Sequence, residues 1–569
     1  MDLLPDIILF ALVLIPLAFG LIVGVAPAAR AKGIALIGTL AAAGATVLAM
    51  SLFDWESPRF QFTSTVQWLP SMGVSGRDAL AALKGVSLSV GVDPVSMMLV
   101  ALTALLGPIC VLASSTAITE RVKTYYSWLL VLQAAMTGVF VARDIIMFYI
   151  CFEFTLIPMW ILIHLYGSTN RKRAATKFFL YTFTGSMITL AGLVYVAWTR
   201  VRGGGFWSFD MEYMGQAARA MSSREQSWVF FALLAGFAVK VPLFPLHTWL
   251  PLAHTEAPTA GSVILAGVLL KLGTYGIYRF ALPFCPMAAV HYAPLIATVS
   301  IIGIIYAGLI CWVQTDVKKL VAYSSVAHLG FCILGMFSFN TAGLTGSVLY
   351  MINHGLSTGA LFLLIGMVYE RYHTRSMKEL GGLAAKMPVW ATFMVFFTMA
   401  SVGLPGLNGF VSEFLCLLGA FQAGSFEGPN PGQAGMGLGP WYAFAAGTGM
   451  IIAAMYLLYM VGNVVWGKLI EPGGHEHDKG HADSGGQDHA EDAQSLPTDL
   501  CAREIGILVP LAVLCLALGV YPKPLMDSLR APVNAVARTV LEAGRQAPKA
   551  GDTPPQAPEQ PAPAGEVNP

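Results

Sequence analysis

Seven side chains that can exchange protons lie where an apolar surrounding would make them expensive. Glu153, Lys240, Lys271 and Glu413 each fall near the middle of a long apolar run, and His247, His328 and His354 have similar company. A charge in hydrocarbon costs several kcal/mol unless it is paired or hydrated. Of 32 acidic residues and 33 lysines and arginines, nearly all the others fall in polar connections or at the ends of apolar runs. One buried Lys–Glu pair needs no function beyond fixing helix register. A lone histidine on an apolar face is ordinarily a packing residue. Two acids and two bases with histidines among them suit another chemistry, the stepwise relay of a proton between titratable groups.

The elements that must hold such a relay are membrane helices. Hydrophobic residues make up 56% of the 569 and charged residues only 11%, and the mean hydropathy is +0.66, too apolar a composition to cover a water-soluble surface of this size. A helix crosses the hydrocarbon core with roughly 20 apolar residues, and about fourteen such spans can be placed between residues 4 and 521. The expected fold is therefore an all-α polytopic membrane protein. The acidic start, Asp2 and Asp6, followed by a long apolar run and then Arg30 and Lys32, reads as a first span rather than a cleaved leader. Basic residues such as Arg121, Lys123, Arg171, Lys172, Arg173, Lys318, Lys319, Arg371 and Arg375 gather in alternate connections. By the positive-inside rule both termini lie outside.

The segmentation that follows has spans 1 and 2 and an external hairpin in residues 1–92, span 3 in 93–124, spans 4–8 in 125–285 and spans 9–13 in 286–467. A polar linker (468–500), span 14 (501–522) and a mostly disordered tail (523–569) complete it. The hairpin rests on the alternation Phe60–Trp68 and Val86–Val90. The linker carries His475, His477, Asp478, His481 and His489, and a solvated loop explains it better than a metal site does.

Two spans look broken at corresponding places in two halves. Pro242 and Pro245 follow Lys240 in span 7, and Pro405 and Gly406 precede Glu413 in span 12. Each proline removes a backbone donor, and the carbonyls so released need water, a cation or a side-chain donor. Paired interruptions of this kind mark transporters built from inverted repeats, with the site near the membrane midplane. A proline kink kept for packing alone is the alternative for either helix by itself.

Several chemistries are set aside. Cys110, Cys151, Cys285, Cys311, Cys332, Cys416, Cys501 and Cys515 stand singly without CxxC spacing and read as small core residues, not metal or iron–sulfur ligands. No glycine-rich phosphate loop follows a predicted strand, so no nicotinamide, flavin or ATP site is expected in this chain. A net charge of +1 without a basic cluster argues against a nucleic-acid partner.

Three strings carry a resemblance. They are Phe148–Met159 with Glu153 inside it, Lys240–Pro251 continued by Ala253–Ser262 and Leu270–Gly276, and Leu404–Phe414. Across residues 90 to 470 the sequence resembles the antiporter-like proton-pumping subunits of respiratory complex I (NADH-quinone oxidoreductase), and most closely the chain M, or mitochondrial subunit 4, family. The resemblance implies two inverted five-helix repeats with discontinuous helices 7 and 12. It implies a Glu153–Lys240 ion pair, Lys271 as central relay, His328 and His354 as connecting groups with His247 in support, and Glu413 as terminal group, where the sister subunits carry a lysine. It also implies partners: the two sister antiporter-like subunits and the rest of the complex I membrane arm, lipids, and a quinone reduced elsewhere, with FMN and iron–sulfur clusters in other subunits. The expected location is the bacterial inner membrane or an equivalent energy-transducing membrane. Subunits of multisubunit sodium/proton antiporters and of energy-converting hydrogenases share most of these motifs, and a passive scaffold would not need four buried charges. Leu252, the long linker and the extended tail depart from the family pattern without touching the expected path.

Overall fold

The computed structural model describes residues 4–70, 85–423, 438–472 and 498–546. Helices α1 (Leu4–Val25) and α2 (Ala28–Ser51) lead into an antiparallel hairpin of β1 (Gln61–Pro70) and β2 (Gly85–Val92), in which Thr65 faces Ser89. The first half continues with α3 (Pro94–Ala113), α4 (Val122–Val141), α5 (Ile145–Phe154), α6 (Leu156–Tyr166), α7 (Arg171–Arg202), α8 (Met211–Arg219), α9 (Ser223–Lys240) and α10 (Leu250–Glu256). An apolar run from Thr259 to Phe284 then holds α11 (Thr259–Ile264), α12 (Leu270–Gly276) and α13 (Leu282–Phe284), separated by π-helical segments at Leu265–Leu269 and Ile277–Ala281. The second half comprises α14 (Pro286–Trp312), α15 (Val317–Met336), α16 (Thr341–Tyr372), α17 (Pro388–Val402), α18 (Asn408–Gln422) and α19 (Pro440–Val464), followed by α20 (Ala502–Val520) and α21 (Lys523–Gln546).

Twelve helices among the described residues are long and apolar enough to cross a membrane. The two interrupted segments lie outside that twelve. Helix α9 carries Arg224, Glu225 and Lys240, and α17 stops after 15 residues. The α11–α13 run and α16 are buried along their whole most apolar stretch, whereas α1, α2 and α20 are buried over a third or less of theirs. Helices apolar on every face can pack inside such a bundle or face lipid. The relay residues belong to the buried inner set and to the helices packed on it.

Three local features differ from the sequence expectation. Span 7 extends from Ser223 to Glu256, longer than a single crossing needs, because α9 ends at Lys240 and a new helix begins only at Leu250. The short amphipathic α8 occupies a connection in which no helix was expected. Composition points to a mostly disordered tail from residue 523, yet Lys523–Gln546 is helical. Leu529, Val533, Ala537 and Val540 recur at helical spacing in α21 and are buried on the side of α14 and α16; the Pro- and Gln-rich chain end hides this stripe from a composition count. The histidine-bearing part of the linker, from His475 to His489, lies outside the described residues.

Candidate functional site: a row of titratable groups

Glu153 lies in the last turn of α5. Pro158 cannot donate to the Phe154 carbonyl, so α5 gives way at Thr155 to α6. Lys240 is the final residue of α9, where Pro242 and Pro245 stop the helix. The indole of Trp249 donates to the Val239 carbonyl at 2.9 Å, satisfying one acceptor that the break releases. The Lys240 Nζ donates to Thr155 Oγ1 at 3.1 Å and lies 4.4 Å from the centre of the Phe152 ring. Glu153 is within electrostatic reach of Lys240, but both its carboxylate oxygens lack a hydrogen-bond partner. The expected Glu153–Lys240 pair is not in contact: Thr155 and Phe152, on a different face of the same stretch of helix, take the ammonium instead.

Lys271 sits in α12 between the two π segments and is fully buried. Its Nζ donates to the Ala266 carbonyl inside the first π segment and lies 2.8 Å from His354 Nδ1. A π turn leaves its carbonyls less tightly engaged than an α turn, and such turns recur at functional sites. Close approach of α16 makes the contact possible. At Gly355 a side-chain Cβ would stand 2.9 Å from the Gly267 carbonyl oxygen, so glycine next to His354 lets the two helices touch.

From His354 the row continues in one direction. The rings of His354 and His328 lie 6.0 Å apart. His328 Nδ1 is 2.8 Å from the Tyr350 hydroxyl and 3.3 Å from Glu413 Oε1, and Tyr350 donates to that same oxygen at 2.6 Å. Donor and acceptor counting assigns the tautomers. An ammonium at Lys271 makes His354 Nδ1 an acceptor, so Nε2 carries the hydrogen. A carboxylate at Glu413 makes the nearby His328 Nδ1 a donor, and its Nε2 is then the acceptor. Those two Nε2 atoms are the ones without partners. Both rings line a cavity of about 10 Å³ with Asn353, Ser401 and Glu413, the volume of about one water site. With those tautomers a proton can pass from Lys271 through both histidines toward the carboxylate, one water site bridging the two rings.

Glu413 lies in α18, just past the second break. Helix α17 ends at Gly403, whose φ of 83° is left-handed, and Gly406 follows with φ 95°. The Glu413 Oε2 occupies the space a Cβ on Gly403 would fill. Asn353 Nδ2 donates to the Asn408 carbonyl at 2.8 Å, and Asn408 Nδ2 returns a bond to the Asn353 carbonyl at 3.2 Å, fastening the break to α16. His247 stands apart from the row, stacked on Phe244 and edge-on to Tyr306.

The family described as "NADH:quinone oxidoreductase/Mrp antiporter, TM" matches residues 142–428, and "NADH-ubiquinone oxidoreductase chain 4, amino terminus" matches residues 39–139. NADH-quinone oxidoreductase subunit M of Rhodobacter capsulatus is 39% identical over 89% of this chain and 90% of its own length. The chain belongs to the NADH-quinone oxidoreductase subunit M/chain 4 family. Chain 4 of Marchantia polymorpha is 37% identical over 92% of this chain and 96% of its own. Among solved structures, a chain of respiratory complex I from Thermus thermophilus superposes with a TM-score of 0.76 at 28% identity, covering 94% of this chain and 99% of that one. A chain of the Mrp complex from a Dietzia species gives 0.74 at 21% identity, covering 95% and 99%, a likeness of fold.

Within this subunit M/chain 4 member, a census of charges misses the neutral parts of the row. Tyr350 precedes His354 by four residues and therefore shares its helix face; that spacing is the signal that points to it. Thr155, Asn353 and Asn408 carry no comparable mark, since polar neutral residues are common in membrane helices.

Proposed function

We propose that this chain is the proton-translocating subunit M of an NADH-quinone oxidoreductase and that Glu153, Lys240, Lys271, His354, His328, Tyr350 and Glu413 carry the proton. One observation bears most of the weight: Lys271 with His354, His328 with Tyr350, and Tyr350 with Glu413 are in hydrogen-bond contact, and the two histidine rings between them lie 6.0 Å apart. In this reading Glu153 and Lys240 are the switch. Their approach favours both charged forms and their separation favours neutral ones. The gap between them, held open by Thr155 and Phe152, corresponds to the separated state. A signal from a neighbouring subunit that moves Glu153 away from Lys240 leaves the Lys240 charge uncompensated, weakens the hold of Lys271 on its proton and releases it into the His354–His328–Glu413 row. The members titrate as a coupled set.

Electron transfer belongs to partner subunits, which hold the FMN and iron–sulfur clusters and reduce the quinone. The partners in the membrane are the two sister antiporter-like subunits. The distribution of basic connections supports an orientation with both termini outside, in a bacterial inner membrane or its equivalent. Subunits of Mrp-type antiporters share the fold, but the Mrp likeness of 21% identity stands well below the 39% to subunit M. The test is Glu153→Gln in the assembled complex, with proton uptake by vesicles measured against NADH oxidation. Loss of most pumping with normal assembly is expected; normal quinone-linked pumping refutes the proposal.

A further inference from the structure

A second set of buried groups lies outside the row and reaches a surface cavity. A cavity of about 1400 Å³ opens among the ends of α3, α6, α15 and α16, and Glu256, Lys318, His373 and Arg375 are on its walls. At its floor lies the junction between α10 and α11. Arg375 Nη1 donates to the Thr255 carbonyl at 2.5 Å, the Ser168 amide to the Glu256 carbonyl at 3.0 Å, and Lys318 Nζ to the Ala257 carbonyl at 2.6 Å. Three successive carbonyls are thus taken, two of them by cations. The Glu256 carboxylate accepts from Ser168 Oγ and the Asn170 amide. Lys318 is nevertheless only 7% exposed, so its ammonium marks the boundary between the cavity and the bundle.

One turn of α10 deeper is His254, which is fully buried and has no partner on either ring nitrogen. Its ring lies flat on Phe362 at 4.6 Å. Phe362 is two turns from His354 along α16, about 12 Å of helix. His254 is within electrostatic reach of both Lys318 and Lys271. A buried imidazole with both nitrogens open and two buried lysines in electrostatic reach is poorly explained as packing, because an unpaired buried polar atom is destabilising.

We infer that Lys318 and His254 form a loading branch that carries protons from the inner-face cavity to Lys271. This inference rests on the relay reading above and adds the supply side to it. Each step is a plain proton transfer: a neutral Lys318 takes a proton from cavity water, passes it to one nitrogen of His254 as the other releases one, and Lys271 accepts it, with water bridging the gaps. Nothing is oxidised or reduced.

Lys318 could alternatively be a clamp on the Ala257 carbonyl and nothing more, and the choice of substitution separates the two roles. Arginine can hold a carbonyl but does not release its proton. In the assembled complex, with pumping normalised to the amount of complex in the membrane, Lys318→Arg and His254→Gln are each expected to lower quinone-linked proton pumping about tenfold. Pumping by Lys318→Arg at the wild-type rate overturns the inference, and so does wild-type pumping by His254→Gln, which decides alone if the arginine variant does not assemble. Glu153→Gln is measured alongside. If it pumps, the relay reading fails; if it is silent while both branch variants pump normally, the loading branch alone fails.

Discussion

The Tyr350 hydroxyl donates to Glu413 Oε1 at 2.6 Å while His328 Nδ1 approaches the same oxygen at 3.3 Å. Tyrosine is therefore the nearer donor to the terminal carboxylate. A hydrogen bond to a charged group contributes about 1.5–3 kcal/mol. Tyr350→Phe should leave folding nearly intact, since the ring stays, and should slow pumping by roughly tenfold or more as the carboxylate loses its closer donor. Pumping by vesicles of the variant checks this, and a wild-type rate would remove Tyr350 from the row.

Gly403 is the second control point near Glu413. Its left-handed φ of 83° suits glycine, and an added Cβ collides with Glu413 Oε2. Gly403→Ala combines backbone strain of about 1–3 kcal/mol with displacement of the carboxylate. The expected result is a complex that assembles at reduced yield and pumps poorly. Gly406→Ala, in the same break with φ 95° but open space around its Cα, should show the loss of yield without the specific loss of pumping. Equal pumping by the two variants would contradict the steric account.

Thr155 is the only side chain that accepts a hydrogen bond from Lys240 among the described residues. Thr155→Val keeps the shape and removes that acceptor, leaving the ammonium to the Phe152 ring and to Glu153. The pair is then expected to close, because nothing polar holds Lys240 away from the carboxylate. Pumping should fall several-fold, and Thr155→Ser should restore it. A valine variant that pumps normally would show that the hydroxyl does not set the separation.

The buried charges were legible in the sequence because an ionised group in an apolar run has few explanations. Lys271 and Glu413 could be picked out without coordinates for that reason. The broken helices were equally visible, since Pro242, Pro245 and Pro405 each delete a backbone donor. What the sequence does not reveal is contact. The Glu153–Lys240 pair is adjacent by resemblance but held apart by Thr155, a residue with no charge to betray it. The π segments around Lys271 leave no compositional trace, and neither does the point at which span 7 resumes, Leu250. Lys318 counts as a loop residue by its place in the chain, yet the fold buries it.

Stability should respond quite differently to two ion pairs that look alike on paper. Arg371 and Glu504 are almost fully buried and joined through both guanidinium nitrogens at 3.0 and 2.8 Å, while Lys386 and Glu471 meet at 2.6 Å in a partly exposed place. Glu504 also accepts from the Cys501 amide at the start of α20, so it anchors that helix to the end of α16. Removing one member of a buried pair costs about 3–5 kcal/mol, because the other charge stays buried, whereas exposed pairs contribute about 0–1 kcal/mol. Glu504→Ala should therefore lower the melting temperature of the solubilised complex by several degrees and loosen α20, and Lys386→Ala should leave it unchanged within error. The shorter distance belongs to the weaker pair; if the alanine at 386 proved the more damaging, burial would not be the deciding variable here.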